Sequence, residues 1–92
     1  MALLSEEKIR EELEDLEGWE QKGNEIAKQF KFKNFVESVG FVNKTAILAE
    51  KADHHPDILI QYNKVNLTLS THSEGGLTEK DFNLAHEIEK VS

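Results

Sequence analysis

The stretch EKADHHPDILIQYNKVNLTLSTHSEGGLTEKD, residues 50–81, decides the fold, because it contains a helix end, a strand hairpin and a helix start. Residues 58–72 are rich in apolar residues that alternate between two faces, and they predict two strands that turn at Asn63-Lys64. A residue before proline is pushed out of helical geometry, so His55 before Pro56 predicts that the preceding helix has ended. The stretch therefore predicts a helix, a hairpin and a second helix in that order.

Working outward, apolar residues at helical spacing behind a capping residue predict three helices. The predicted helices cover residues 5–17, 35–52 and 79–91. Ser5, Asn34 and Thr78 are the predicted caps, and Asp81 follows Thr78 at the spacing of a capping box. The apolar stripe predicted to face the core in the middle helix consists of Phe35, Val39, Val42, Ala46 and Ala49.

Two further strands are predicted over residues 19–32, around the turn dipeptide Gly23-Asn24. The element order is then α-β-β-α-β-β-α, and short turns make the strands of each hairpin antiparallel. We therefore predict an α+β fold, a single domain over residues 1–92. It consists of one four-stranded antiparallel sheet with three helices on one face. The other face is expected to stay open or to meet another subunit.

Composition excludes several classes of protein. The chain has 92 residues and a formal charge of −7, whereas binding to nucleic acid through phosphates needs clustered Lys and Arg. It has no cysteine, so disulfides, thiolate nucleophiles and cysteine-ligated zinc are excluded. Its longest apolar runs are four residues, far below the roughly 20 of a membrane-spanning helix. These features predict a soluble, cytoplasmic protein with neither a nucleic-acid nor a membrane partner.

Histidine is the residue type that points to chemistry, because its ordinary pKa allows proton transfer near neutral pH. The four histidines are His54, His55, His72 and His86. The adjacent pair lies in a segment predicted to be extended, so the two rings should point to opposite sides. His72 is predicted at the end of the last strand, on its polar face. Our hypothesis is that two or three imidazoles converge there with Asp53 and Asp81.

Three interpretations of these histidines stay open on the residues alone. They could belong to an ordinary polar surface loop, or they could form a histidine acid/base pair. Zinc accepts three histidines and a water, although two adjacent rings are awkward as ligands of one ion. Asp81 has a structural interpretation as a capping residue, and Tyr62 one as a core residue with a polar tip.

The segment 50–81 also resembles the pterin-4a-carbinolamine dehydratases. The family pattern is Glu, three residues, His-His-Pro, five residues, an aromatic residue, nine residues, His, at least eight residues and Asp. The matching positions are Glu50, His54, His55, Pro56, Tyr62, His72 and Asp81. The segments Gly18-Trp19 and 28–35 are similar to the family as well, so the resemblance covers residues 18–91.

The resemblance implies a fold, a reaction and a set of site residues. The family fold has the element order predicted above. The family reaction removes water from 4a-hydroxytetrahydropterin to give quinonoid dihydropterin, a step of tetrahydrobiopterin recycling that uses no metal or organic cofactor. The implied catalytic residues are His54, His55, His72 and Asp81. The implied substrate-binding residues are Glu50, Asp53, His54, His55, Pro56, Ser70, Thr71, His72 and Ser73.

Within this set, the resemblance gives each side chain a role. His54 and His72 form the acid/base pair, and His55 contacts the pterin ring or its hydroxyl. Asp81 orients a histidine, and Glu50 completes the pocket wall. The family also implies a homodimer or homotetramer. A rival function follows from animal members, which act as a dimerisation cofactor of a transcription factor, and a redirected role as an assembly chaperone is a third possibility.

Overall fold

The computed structural model describes residues 2–92 and confirms the predicted order of elements. Its helices are α1 (Glu6–Leu13), α2 (Phe35–Ala52) and α3 (Glu79–Val91). Its strands are β1 (Glu20–Lys22), β2 (Glu25–Lys31), β3 (Asp57–Gln61) and β4 (Lys64–Leu69). A short 3-10 helix, His72–Glu74, lies between β4 and α3. Helix α1 ends four residues before the predicted boundary, and turns follow it.

The sheet has the strand order β1-β2-β4-β3 with every neighbouring pair antiparallel. The prediction of four antiparallel strands with three helices on one face is confirmed. Val65, Leu67 and Leu69 alternate along β4 and are all fully buried, which places the core between this face and the helices. Asn66 and Thr68 lie on the other face, where they are only half-buried.

Each helix starts at the predicted cap. Lys8 N donates to Ser5 Oγ at 3.1 Å, and Glu37 N donates to Asn34 Oδ1 at 2.9 Å. Thr78 caps α3, and its own backbone N donates to Asp81 Oδ2 at 2.9 Å, which completes the capping box. These contacts join residues three positions apart, so the local sequence is sufficient to specify them.

The predicted core stripe of α2 is wrong. Of its five residues only Ala49 is buried, and Phe35 at its start is 51% exposed. The buried residues of α2 are Ser38, Phe41, Thr45 and Ala49. The reason is that α2 has apolar residues around most of its circumference, so periodicity does not identify the inner face. Small residues at three of the four buried positions allow the helix to approach its neighbours closely.

Two further predictions near the hairpin are wrong. Tyr62 is 64% exposed and not a core residue, because the β3–β4 turn lies at Tyr62-Asn63, one position before the predicted Asn63-Lys64, and gives Tyr62 a positive φ of 53°. His72 does not end a strand, because β4 stops at Leu69 and His72 begins the 3-10 helix. The backbone leaves the sheet at Ser70 and forms a tight turn in which Gly75 N donates to Thr71 O.

Thr45 provides a test of α2 packing. Its side chain is fully buried, and its hydroxyl has no hydrogen-bond partner within residues 2–92. A buried polar group without a partner costs about 1–3 kcal/mol. We expect Thr45→Val to raise the free energy of unfolding by about 1 kcal/mol, or the melting temperature by roughly 4 °C or more.

Thr71→Val is the matched control, because the Thr71 hydroxyl is buried but donates to Asp81 Oδ2 at 2.9 Å. The same replacement should therefore lower the melting temperature there. Thermal unfolding followed by circular dichroism measures both variants. A lower melting temperature for Thr45→Val would show that its hydroxyl contributes to stability.

Candidate active site

The β3–β4 ladder brings the two predicted site segments together. Asp57 pairs with Thr68 at the end of this ladder, where β3 begins and β4 approaches its end. Residues 53–56 directly precede β3 and residues 70–73 closely follow β4. Because the strands are antiparallel, the two segments lie side by side at one end of the sheet.

Asp81 is the centre of a buried hydrogen-bond network at this end. Its side chain is 0% exposed, and Oδ1 lies 2.6 Å from His54 Nε2. Its other oxygen, Oδ2, accepts from Thr71 Oγ1 and from the backbone N of Thr78, both at 2.9 Å. The Thr71 and Thr78 hydroxyls are 2.8 Å apart. One carboxylate thus connects the His-His-Pro loop, the segment after β4 and the start of α3.

The end of α2 sets the position of His54. Asp53 terminates the helix in the left-handed conformation, with φ 52° and ψ 44°, which Asp tolerates better than most residues. His54 N then donates to Ala49 O at 3.0 Å, which turns the chain back toward α3. The His54 ring is 9% exposed and lines a cavity of about 300 Å³ between α2 and α3. The cavity floor contains the apolar side chains of Leu48, Ala52 and Leu84.

His55 and His72 are exposed, in contrast to His54. His55 Nε2 lies 2.5 Å from Glu50 Oε2, and this pair forms a second carboxylate–histidine contact at the surface. His72 and Ser70 line a separate cavity of about 340 Å³. The structure therefore brings His54 together with Asp81 and His55 together with Glu50, and it places His72 in a different cavity from His54.

The other predicted residues lie around these pairs. Asp53 and Ser73 are exposed, and Pro56 is half-buried. Thr71 is buried with its hydroxyl on Asp81, an interaction that sequence reasoning did not anticipate. Thr78 is likewise more than a cap, because its hydroxyl contacts Thr71. The capping-box spacing of the sequence indicated the Thr78–Asp81 contact. No pattern of neighbouring residues indicated the hydrogen bond between Thr71 and Asp81.

The arrangement provides groups for proton transfer. A carboxylate next to a histidine ring selects which nitrogen carries the proton and stabilises the imidazolium. Within residues 2–92, no group of three or more His, Asp or Glu side chains is arranged to hold a metal ion. None of the helices described in residues 2–92 is long and apolar enough to cross a membrane.

The fold and the site together define a small α+β domain with carboxylate-supported histidines at the end of an antiparallel sheet. A family model described as pterin 4 alpha carbinolamine dehydratase matches residues 2–91. The chain belongs to this family, as the sequence resemblance indicated.

Similar proteins agree with this assignment. A Sulfolobus acidocaldarius protein that bears the pterin-4-alpha-carbinolamine dehydratase name is 54% identical over 88 residues, or 96% of this chain and 97% of its own. A relative from Roseiflexus castenholzii with the same name is 52% identical over 90 residues, 98% of this chain and 97% of its own. The crystal structure of a transcriptional coactivator/pterin dehydratase from Brucella melitensis superposes with a TM-score of 0.93 at 41% identity, covering 97% of both chains.

Proposed function

We propose that this protein is a hydro-lyase that converts 4a-hydroxytetrahydropterin to quinonoid dihydropterin in pterin recycling. The observation that carries the proposal is the buried Asp81–His54 hydrogen bond at the wall of the α2–α3 cavity. In the reaction, the N5–H proton leaves, a C4a=N5 double bond forms and the C4a–O bond breaks. The hydroxyl departs as water after it receives a proton. The step needs one proton acceptor and one donor, and two histidine rings can take these roles.

His54 serves as the base in this proposal. The Asp81 carboxylate only accepts hydrogen bonds, so it holds the proton on His54 Nε2 and leaves the Nδ1 lone pair available. Asp81 is thus a positioning residue and does not contact the substrate. In this proposal His72 supplies the proton for the leaving hydroxyl through a bridging water, because it lines a different cavity from His54. His55, held by Glu50, contacts that hydroxyl or the ring. Backbone groups of residues 53–56 and 70–73 hydrogen-bond the pterin's amide edge.

The direct test follows the absorbance of 4a-hydroxytetrahydropterin with and without the protein. We expect decay faster than the spontaneous dehydration and proportional to protein concentration. A histidine acid–base pair contributes a factor of roughly 10² or more. A decay rate equal to the spontaneous one would refute the enzymatic function.

We also propose that the protein is cytoplasmic and forms a homodimer or homotetramer. A second candidate function is binding of a transcription factor. The name of the Brucella melitensis protein includes a coactivator role. The apolar surface of α2 also favours a partner, because Val36 is 78% and Ile47 is 67% exposed. Binding of a helical peptide that is unaffected by His54→Gln, together with no dehydratase activity, would favour this candidate.

A further inference from the structure

The α2–α3 cavity has two free ammonium groups on its rim. Lys51 of α2 and Lys80 of α3 line it, and within residues 2–92 neither side chain forms a hydrogen bond or ion pair. Within residues 2–92, Lys8, Lys28 and Lys90 pair with a glutamate, and most of the other lysines are exposed without an ion pair. What distinguishes Lys51 and Lys80 is that both line the same cavity, in a chain whose formal charge is −7.

The cavity lining also contains one acidic side chain, Glu87, which offsets only part of the charge of these cations. Glu87 Oε2 accepts from Lys90 Nζ at 2.9 Å, and Lys90 lies on the exposed surface of α3 outside the lining. Lys90, through this hydrogen bond and its charge, lowers the pKa of Glu87, with smaller contributions from Lys51 and His86. Glu87 thus interacts with Lys90 as well as with Lys51, and the cavity lining contains two lysines against one glutamate.

Pterin chemistry indicates which part of the substrate lies in the α2–α3 cavity, if the protein has the function proposed above. His54 serves N5, and N5 is bonded directly to C6, the carbon that carries the pterin side chain. A substrate with N5 at His54 must therefore place its 6-substituent in the cavity that His54 lines. A volume of about 300 Å³ lies at the lower end of ligand pockets, so it suits part of a bicyclic ligand with a short substituent.

We propose that Lys51 and Lys80 make the α2–α3 cavity selective for pterins whose 6-substituent carries an anionic group, a carboxylate or a phosphate ester. The two ammonium groups attract the anion from opposite walls, while Leu48, Ala52 and Leu84 contact the ring or the first carbons of the substituent. Both lysines are exposed, so each contributes a modest, salt-screened attraction.

The experiment compares three fluorescent pterins that differ only at C6: 6-hydroxymethylpterin, its phosphate ester and pterin-6-carboxylate. Fluorescence titration at fixed ionic strength should show both anionic pterins binding about fivefold to tenfold tighter than the neutral one. Raising the salt concentration should reduce this preference.

The variants assign the preference to this cavity. The double variant Lys51→Gln/Lys80→Gln should lose the preference for anionic pterins. The control double variant Lys31→Gln/Lys64→Gln should retain this preference. The control pair changes the charge equally, and its two residues face each other across β2 and β4, away from the cavity. Equal binding of all three pterins to the wild type, or a preference that survives Lys51→Gln/Lys80→Gln, would overturn the inference.

The dehydration assay distinguishes failure of the cavity inference from failure of the proposed dehydratase function. If the protein accelerates dehydration but shows no preference for an anionic substituent, only the cavity inference is wrong. If it neither accelerates dehydration nor binds any of the three pterins, the proposed function fails and the inference fails with it.

Discussion

Replacing His54 with glutamine, or His72 with alanine, is expected to lower the rate of pterin dehydration at least about tenfold. The expectation follows from the proposed roles, because a positioned acid or base contributes typically about 10²–10⁴ in rate. Glutamine is the better replacement at His54, since its amide can still donate to the buried Asp81 carboxylate. His72 is exposed, so alanine removes its ring without opening the core.

His86→Gln is the matched control for these variants. His86 lies on α3 outside the site, and its nearest acidic partner is Glu12 at 4.0 Å. Its replacement should leave the dehydration rate at the wild-type value. Circular dichroism confirms that each variant is folded before rates are compared. Wild-type rates in both His54→Gln and His72→Ala would contradict the proposed acid/base pair.

Replacing Asp81 with alanine is expected to lower the free energy of unfolding by about 3–5 kcal/mol, the cost of breaking a buried charged network. The change removes the acceptor for His54, for the Thr71 hydroxyl and for the Thr78 backbone N–H, all of which stay buried. It also removes half of the capping box of α3. The melting temperature should fall by roughly 12 °C or more.

Two variants refine this result. Glu79→Gln alters a carboxylate in the same helical turn that is not part of the network, so its effect should stay within about 0.5 kcal/mol. Asp81→Asn keeps an oxygen acceptor, so it should cost less stability than Asp81→Ala while still reducing activity. An Asp81→Ala protein that melts within a few degrees of the wild type would show that the network does not stabilise the fold.

The elements that the sequence predicted correctly depend on neighbouring residues. The caps at Ser5, Asn34 and Thr78 act within three positions, and Pro56 restricts the backbone of itself and of the residue before it. Alternation along β4 likewise identified Val65, Leu67 and Leu69 as core residues. These local signals are the reason that the order of helices and strands could be predicted.

The incorrect predictions concern orientation in three dimensions. The inner face of α2 is set by contacts with α3 and the sheet, and its own apolar residues do not distinguish the faces. Tyr62 is aromatic, but the two-residue turn directs it to solvent. The place of His72 depends on where the backbone leaves the sheet after Leu69.

The sequence by itself determined the order of elements, the antiparallel hairpins, the family and which histidines are candidates. Only the tertiary structure decided which carboxylate supports which ring. His54 and Asp81 are 27 residues apart, and Thr71 joins them only because β4 and the start of α3 meet at the end of the sheet. The physical reason is that caps and turns form between near neighbours, whereas a buried hydrogen-bond network requires packed elements to bring distant polar groups within bonding distance.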